Sequence, residues 1–241
     1  YTTLFRSNEI FISVRNEGVA TLNLETNKLI YKDGFKFKNN SDHFIINQNY
    51  AYVLLSGIKL SIINLSTKQI TTDSLLKTEN RTFCIFKSKN NKVYAGKANG
   101  LYDITNGTEQ KVSITKTNFP VYSICEKENG ELVLGSSNKL IFVKNNNLIN
   151  EIIPKYTQAS KTFLFGGEKS INKLVVDKYD RIWFTSYPDD NLYLQINNST
   201  FNVFDILDIP STLINCIYKD KNENIWVGTF TDRSEEHTSE L

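Results

Sequence analysis

Methionine is absent from all 241 residues, and the chain holds two histidines, three cysteines and four prolines. With no Met even at position 1, it reads as part of a longer reading frame, and no charged stretch followed by an apolar segment marks a signal peptide. Two histidines, His43 and His237, are too few for a His-based triad or a His metal cluster. An odd number of cysteines argues against a disulfide frame. No apolar run approaches the ~18–20 residues that cross a bilayer, so no membrane contact is expected within the chain. Lys and Arg total 28 against 26 Asp and Glu, a net charge of +2. That balance leaves no basic footprint for nucleic acid. Asp-x-Asp-x-Asp-Gly runs, nucleophile elbows and phosphate-cradling glycine loops are missing too, so neither metal nor cofactor is indicated.

What is present is a repeat. Gly18-Val19-Ala20-Thr21-Leu22-Asn23-Leu24 is echoed by Lys59-Leu60-Ser61-Ile62-Ile63-Asn64-Leu65 and by Gly100-Leu101-Tyr102-Asp103-Ile104, in steps of 41. Upstream of each Gly-Leu-like strand lies a second landmark, Val93-Tyr94-Ala95-Gly96, Leu132-Val133-Leu134-Gly135, Ile182-Trp183-Phe184-Thr185 and Ile225-Trp226-Val227-Gly228. Carrying the register back puts Val53 and Ile12 at the same place, giving steps of 41, 41, 39, 50 and 43. Such a period fits few architectures. Within one period, Phe83–Phe86, Lys92–Gly96, Leu101–Ile104 and Gln110–Ile114 read as short β-branched and aromatic strands separated by Asn, Gly and Lys turns. No stretch carries a sustained helical stripe. Four short strands per repeat define the blade of an all-β, antiparallel β-propeller, whose blades bury their faces against one another.

Blades are expected at about Tyr1–Lys38, Asp42–Glu79, Asn80–Lys116, Asn118–Ile153 and Ser170–Ile206, with two strands of a sixth over Ser211–Phe230. The propeller is therefore incomplete, about five and a half blades over residues 1–231. Pro154–Lys169 reads as an insertion between blades. Residues 232–241 form a polar run that breaks the alternation, read as a non-native tail that packs on nothing.

The stretches Ile171–Thr185 and Ile214–Thr229 both run strand, Asp-led turn, then Ile-Trp. This resembles the two-component regulator propeller repeat, whose Asp-x-x-Gly-like turn precedes a Leu/Ile-Trp-Val-Gly-Thr strand. Tyr94, Val133 and Val53 depart from it by replacing the Trp. The resemblance implies the periplasmic sensory half of a membrane-bound hybrid histidine kinase, a domain that binds an oligosaccharide without turning it over. A homodimer formed through the full-length protein is a further partner to test for. Alternatives from other classes are a propeller enzyme, a lyase or glycosidase, and a protein-interaction scaffold.

Single residues then take their places. Trp183 and Trp226 read as core indoles anchoring sheet packing. Cys84 and Cys216 share one repeat position, with Cys125 one step out of register, and all three read as small buried fillers. His43 sits at a strand start with no catalytic role. Asp177, Asp180 and Asp220 read as turn residues bonding their own backbone, in preference to calcium ligands. Loops between second and third strands carry Asn16, Ser56, Asn99, Asn138, Tyr187, Asp189 and Asp190, and the inter-blade linkers carry Arg81. Of these, Arg81, Asn99, Asn138, Tyr187 and Asp189 are the candidate contacts for a small polar ligand, with Tyr187 as the stacking platform.

Overall fold

The computed structural model describes residues 3–6, 9–14, 18–31, 41–55, 59–67, 69–72, 81–114, 118–155, 169–188, 191–208, 213–229 and 235–237. Two compact units divide the chain, Tyr1–Val112 and Ser113–Leu241.

The first unit holds three four-stranded antiparallel meanders. Blade 1 comprises β1 (Thr3–Arg6), β2 (Glu9–Val14), β3 (Gly18–Asn23) and β4 (Lys28–Tyr31). Blade 2 comprises β5 (Ser41–Asn47), β6 (Tyr50–Leu55), β7 (Lys59–Asn64) and β8 (Ile70–Thr72). Blade 3 comprises β9 (Thr82–Lys87), β10 (Val93–Lys97), β11 (Gly100–Asp103) and β12 (Gln110–Lys111). Alternation along β6 sends Ala51, Val53 and Leu55 into one cluster with Phe44, Ile46 and Ile63. It sends Tyr52 and Leu54 into another with Ile85, Val93, Ala95 and Ile104 of blade 3. A sheet apolar on both faces must be covered on both, which is why such repeats stack. Two further contacts fix blade 3 on blade 2. The Tyr52 hydroxyl donates to the Thr105 carbonyl at 2.7 Å. Gly107, at φ 76°, leaves the space that the Tyr50 ring fills, where a Cβ would lie 2.2 Å from it.

The second unit holds blade 4, with β13 (Ser123–Glu126), β14 (Leu132–Gly135), β15 (Leu140–Lys144) and β16 (Asn147–Ile152). Blade 5 follows, with β17 (Ser170–Val176), β18 (Ile182–Tyr187), β19 (Asn191–Ile196) and β20 (Ser199–Asn202). Blade 6 has three strands, β21 (Ile214–Lys219), β22 (Ile225–Thr229) and β23 (Glu235–His237). Cys125, Val133, Leu140 and Phe142 of blade 4 pack on Ile171, Ile182, Phe184 and Tyr193 of blade 5. Trp183, Leu192 and Leu194 of blade 5 pack on Ile214, Ile225 and Val227 of blade 6.

Four features depart from the sequence expectation. Val53 does not take the Trp position of its blade; Tyr52 does, facing the next blade as Trp183 does. Blades 3 to 6 join their first two strands through five residues, whereas Asn47 pairs directly with Tyr50 across two. The shorter hairpin moves the register by one, and one residue flips the face. Second, a single helical turn, α1 (Val203–Leu207), follows β20. The Asn202 side chain caps it by accepting from Phe204 N at 3.0 Å, and Val203 and Phe204 join the blade 5–6 core. Third, Glu235–His237 pairs with Val227–Ile225 as an antiparallel strand, so this part of the expected unpartnered tail has a backbone partner. An open strand edge offers main-chain donors and acceptors to any extended segment, whatever its side chains. Fourth, Cys216 is exposed, unlike buried Cys125 and partly buried Cys84. Burial pushes the Cys125 thiol up to about 12, with Lys127 pulling the other way. Most of the Pro154–Lys169 insertion lies outside the described residues, as do Asn16, Ser56, Asp189 and Asp190.

Candidate functional site

The turns between first and second strands recur with one geometry in blades 3 to 6. The first residue, Ser88, Lys127, Asp177 or Asp220, donates its N–H to the carbonyl four residues on, at 2.8–3.1 Å. Its own carbonyl accepts from the fourth residue at 3.0–3.1 Å. That fourth residue is left-handed in every case: Asn91 (φ 62°), Gly130 (79°), Asp180 (61°) and Glu223 (69°).

Where the first residue is Asp, its carboxylate closes the turn as an Asx turn and then reaches further. Asp177 Oδ1 accepts from Tyr179 N at 2.9 Å and Arg181 N at 3.0 Å. Its Oδ2 accepts from Arg181 Nε at 2.6 Å and Trp183 Nε1 at 2.9 Å. Asp220 repeats this: Oδ1 accepts from Asn222 N and Asn224 N, and Oδ2 from Trp226 Nε1 at 2.9 Å. The Trp226 indole, above all, holds the Asp220 carboxyl below its ordinary value. Aspartate thus goes with tryptophan six residues on. Ser88 and Lys127 are followed instead by Tyr94 and Val133. This coupling was open to the sequence as a co-occurrence of spacing, but only coordinates show that one carboxylate serves turn and indole together.

Loops between second and third strands lie at the other end of each blade. In the first unit, Asn99 occupies the β10–β11 hairpin, and its buried Oδ1 has no hydrogen-bond partner. Arg81 is exposed, and its carbonyl accepts from Ala98 N at 2.9 Å, which draws the two candidates to one end of blade 3. Beside them sits a group the sequence reading passed over. Lys97, 2% exposed, places its Nζ 2.6 and 2.7 Å from the Glu109 carboxylate oxygens and 5.2 Å from the Tyr102 ring centre. Nothing in Val93-Tyr94-Ala95-Gly96-Lys97 marks that lysine as buried.

In the second unit, Asn138 (φ 56°) clips the start of blade 5. Its N–H donates to the Lys169 carbonyl at 2.7 Å, and its Oδ1 accepts from Lys169 N at 3.0 Å. Ser137 bridges Ser170, and Ser170 pairs with Tyr187, so Asn138 and Tyr187 come to the same end of neighbouring blades. Tyr187 is 56% exposed and precedes a cis bond to Pro188. The buried hydroxyls of Thr185 and Ser186, in the strand leading to it, have no hydrogen-bond partner. His43 is exposed on β5, just past a register shift. Among the described residues, no three His, Cys, Asp or Glu side chains stand together so as to hold a metal ion, and no helix is long and apolar enough to cross a membrane.

Successive four-stranded antiparallel meanders, each packed face to face on the next within its unit, define a β-propeller, with five four-stranded blades and a sixth of three strands among the described residues. Residues 208–231, which span the Asp220 turn and the Trp226 strand, match the family described as "Two component regulator propeller". Among solved structures it is similar to the extracellular domain of the putative one component system BT4673 from B. thetaiotaomicron, with a TM-score of 0.67 and 17% identity over 94% of this chain and 31% of that one. The extracellular domain of the putative hybrid two component system BT3049 from B. thetaiotaomicron gives 0.55 and 15%, over 100% and 38%. Virginiamycin B lyase from Staphylococcus aureus gives 0.66 and 12%, over 100% and 84%. The chain therefore spans about a third of the length of these extracellular domains. No curated protein matches it.

Proposed function

We propose that this chain is the ligand-sensing propeller of a two-component signalling protein, working on the periplasmic side of the inner membrane. The observation that carries the reading is the family match at 208–231, on a turn and strand whose Asp–Trp geometry blade 5 reproduces. Similarity to extracellular domains of putative hybrid two-component systems supports it. The ligand is a small polar molecule, an oligosaccharide, bound without turnover; Arg81 and Asn99 are the candidate contacts of the first unit, and Asn138, Tyr187 and Asp189 those of the second. In the second unit Asn138 has its amide oxygen already engaged, which leaves Tyr187 as the strongest contact among the described residues there. Signal arises if ligand favours one arrangement of paired sensors over another, since only differential affinity shifts such an equilibrium.

Thermal unfolding of the chain against a panel of neutral and acidic oligosaccharides tests this. A true ligand at 100 times its Kd adds about 2.7 kcal/mol of stability. Tyr187→Ala removes that gain, and a panel without any stabilising member overturns the oligosaccharide reading. The likeness to the lyase gives a second reading, an enzyme. Cleavage of quinupristin on incubation with the chain would carry it, and unchanged quinupristin would remove it.

A further inference from the structure

A groove of about 540 Å³ opens between blades 4 and 5, within the size range of small-molecule sites. It lies at the end where the five-residue turns project, away from Asn138 and Tyr187. Phe142 and Ile182 form its buried floor, and Asn150 and Asn198 stand at its lip.

Its two cations are matched from within, and Asp180 adds a further carboxylate to its lining. Lys127 Nζ lies 3.0 Å from Glu131 Oε1, and Arg181 Nε lies 2.6 Å from Asp177 Oδ2. An anionic ligand would have to displace one of these partners and would meet Asp180, whereas an uncharged one need not.

Tyr179, on its wall, is out of place as a turn residue. Blades 3, 4 and 6 carry Asn at this third turn position: Asn90, Asn129 and Asn222. The Asn129 side chain supports its turn by accepting from Glu131 N at 2.9 Å. A phenol cannot do this, and Tyr179 is 59% exposed, so neither turn chemistry nor burial accounts for it. The ring is nonetheless held: Arg181 lies 4.9 Å and Lys178 5.0 Å from its centre. A fixed, solvent-facing aromatic ring beside an amide rim and a small apolar floor suits a ligand with a C–H face and many hydroxyls.

From this juxtaposition we infer that the blade 4–5 groove is a second binding site, for an uncharged, hydroxyl-rich ring such as one sugar residue of a neutral glycan. It is distinct from the site proposed above and does not depend on it. Backbone amide spectra of the full chain, titrated with maltose, cellobiose and lactose and separately with inorganic phosphate, test it. At least one disaccharide shifts the amides of Tyr179–Ile182 and Asn147–Asn150, with a Kd of about 1 mM. Tyr179→Ala weakens that binding about tenfold or more, which is about 1.4 kcal/mol. Asn198→Ala weakens it less, and Tyr187→Ala leaves it unchanged. The inference is overturned if no disaccharide moves these amides, if phosphate moves them as strongly, or if Tyr179→Ala binds undiminished. Binding abolished by Tyr187→Ala alone would overturn it while supporting the site at the other end.

Discussion

Blades 5 and 6 contain the same sentence twice. Asp177 and Asp220 make matching bonds to their turns and to Trp183 and Trp226, at 2.9 Å in both indole contacts. Their surroundings differ. Trp183 is 2% exposed beneath Ile214, Ile225 and Val227 of blade 6, while Trp226 is half-buried and its neighbour Tyr218 is 61% exposed. Hydrogen-bond geometry is therefore a property of the repeat, and its energetic weight is a property of the next blade. Burial removes water as an alternative partner, so the same bond costs more to break in blade 5.

Four measurements break or sharpen that contrast. Replacing Asp177 by Ala strands Arg181 and the Trp183 indole in the interior and should cost roughly 3–5 kcal/mol. Trp183→Ala should cost a similar ~3–5 kcal/mol through cavity formation. Both are read from urea unfolding, and a loss at Asp177 no greater than at Asp220 would end the argument. Trp226→Ala comes next, at about 2 kcal/mol, because its side chain is only partly buried. Equal losses at the two tryptophans would mean that blade 6 contributes little cover.

The third concerns pH. Asp220 has a folded pKa below its unfolded one, so its contribution is fully present above about pH 4 and is lost as pH falls through the folded value. In Trp226→Phe the principal cause is gone, and carboxyl titration by NMR should find Asp220 raised towards the ordinary value. An unmoved titration would show that the backbone donors, not the indole, hold it down. Smallest of all is Glu223→Gly. It relieves a left-handed residue (φ 69°) and should stabilise by up to about 1 kcal/mol, offset by the Lys219 pair at 2.9 Å, worth ~0–1 kcal/mol at such exposure. A fall in Tm would mean that this pair outweighs the backbone.

Strands and repeats could be read from the sequence because their signals are local. The blade 3 strands, expected at Phe83–Phe86, Lys92–Gly96 and Leu101–Ile104, appear at Thr82–Lys87, Val93–Lys97 and Gly100–Asp103. The face of Val53 was not legible, since a 41-residue step hides a hairpin three residues shorter whose loss is made up elsewhere in the repeat. Cys216 misled for a different reason. Its position predicts a filler, but burial depends on what stands beside the blade. At the candidate site, loop membership was readable for Asn138 and its bonds to Lys169, 31 residues away, were not. Lys97 and Glu109 found each other across a hairpin with no spacing rule to announce it.

The turn that closes on its own main chain has one more implication. Its main-chain bonds run between first, fourth and fifth residues, and in blades 3 to 6 the second and third residues, Lys89-Asn90, Glu128-Asn129, Lys178-Tyr179 and Lys221-Asn222, are exposed, with Asn90 and Asn129 also accepting from their own turns. Blades 3 to 6 thereby each display an exposed dipeptide on a constant mount. Substitution at the second position leaves those main-chain bonds in place, so this surface can change its chemistry while the turn beneath it stays the same.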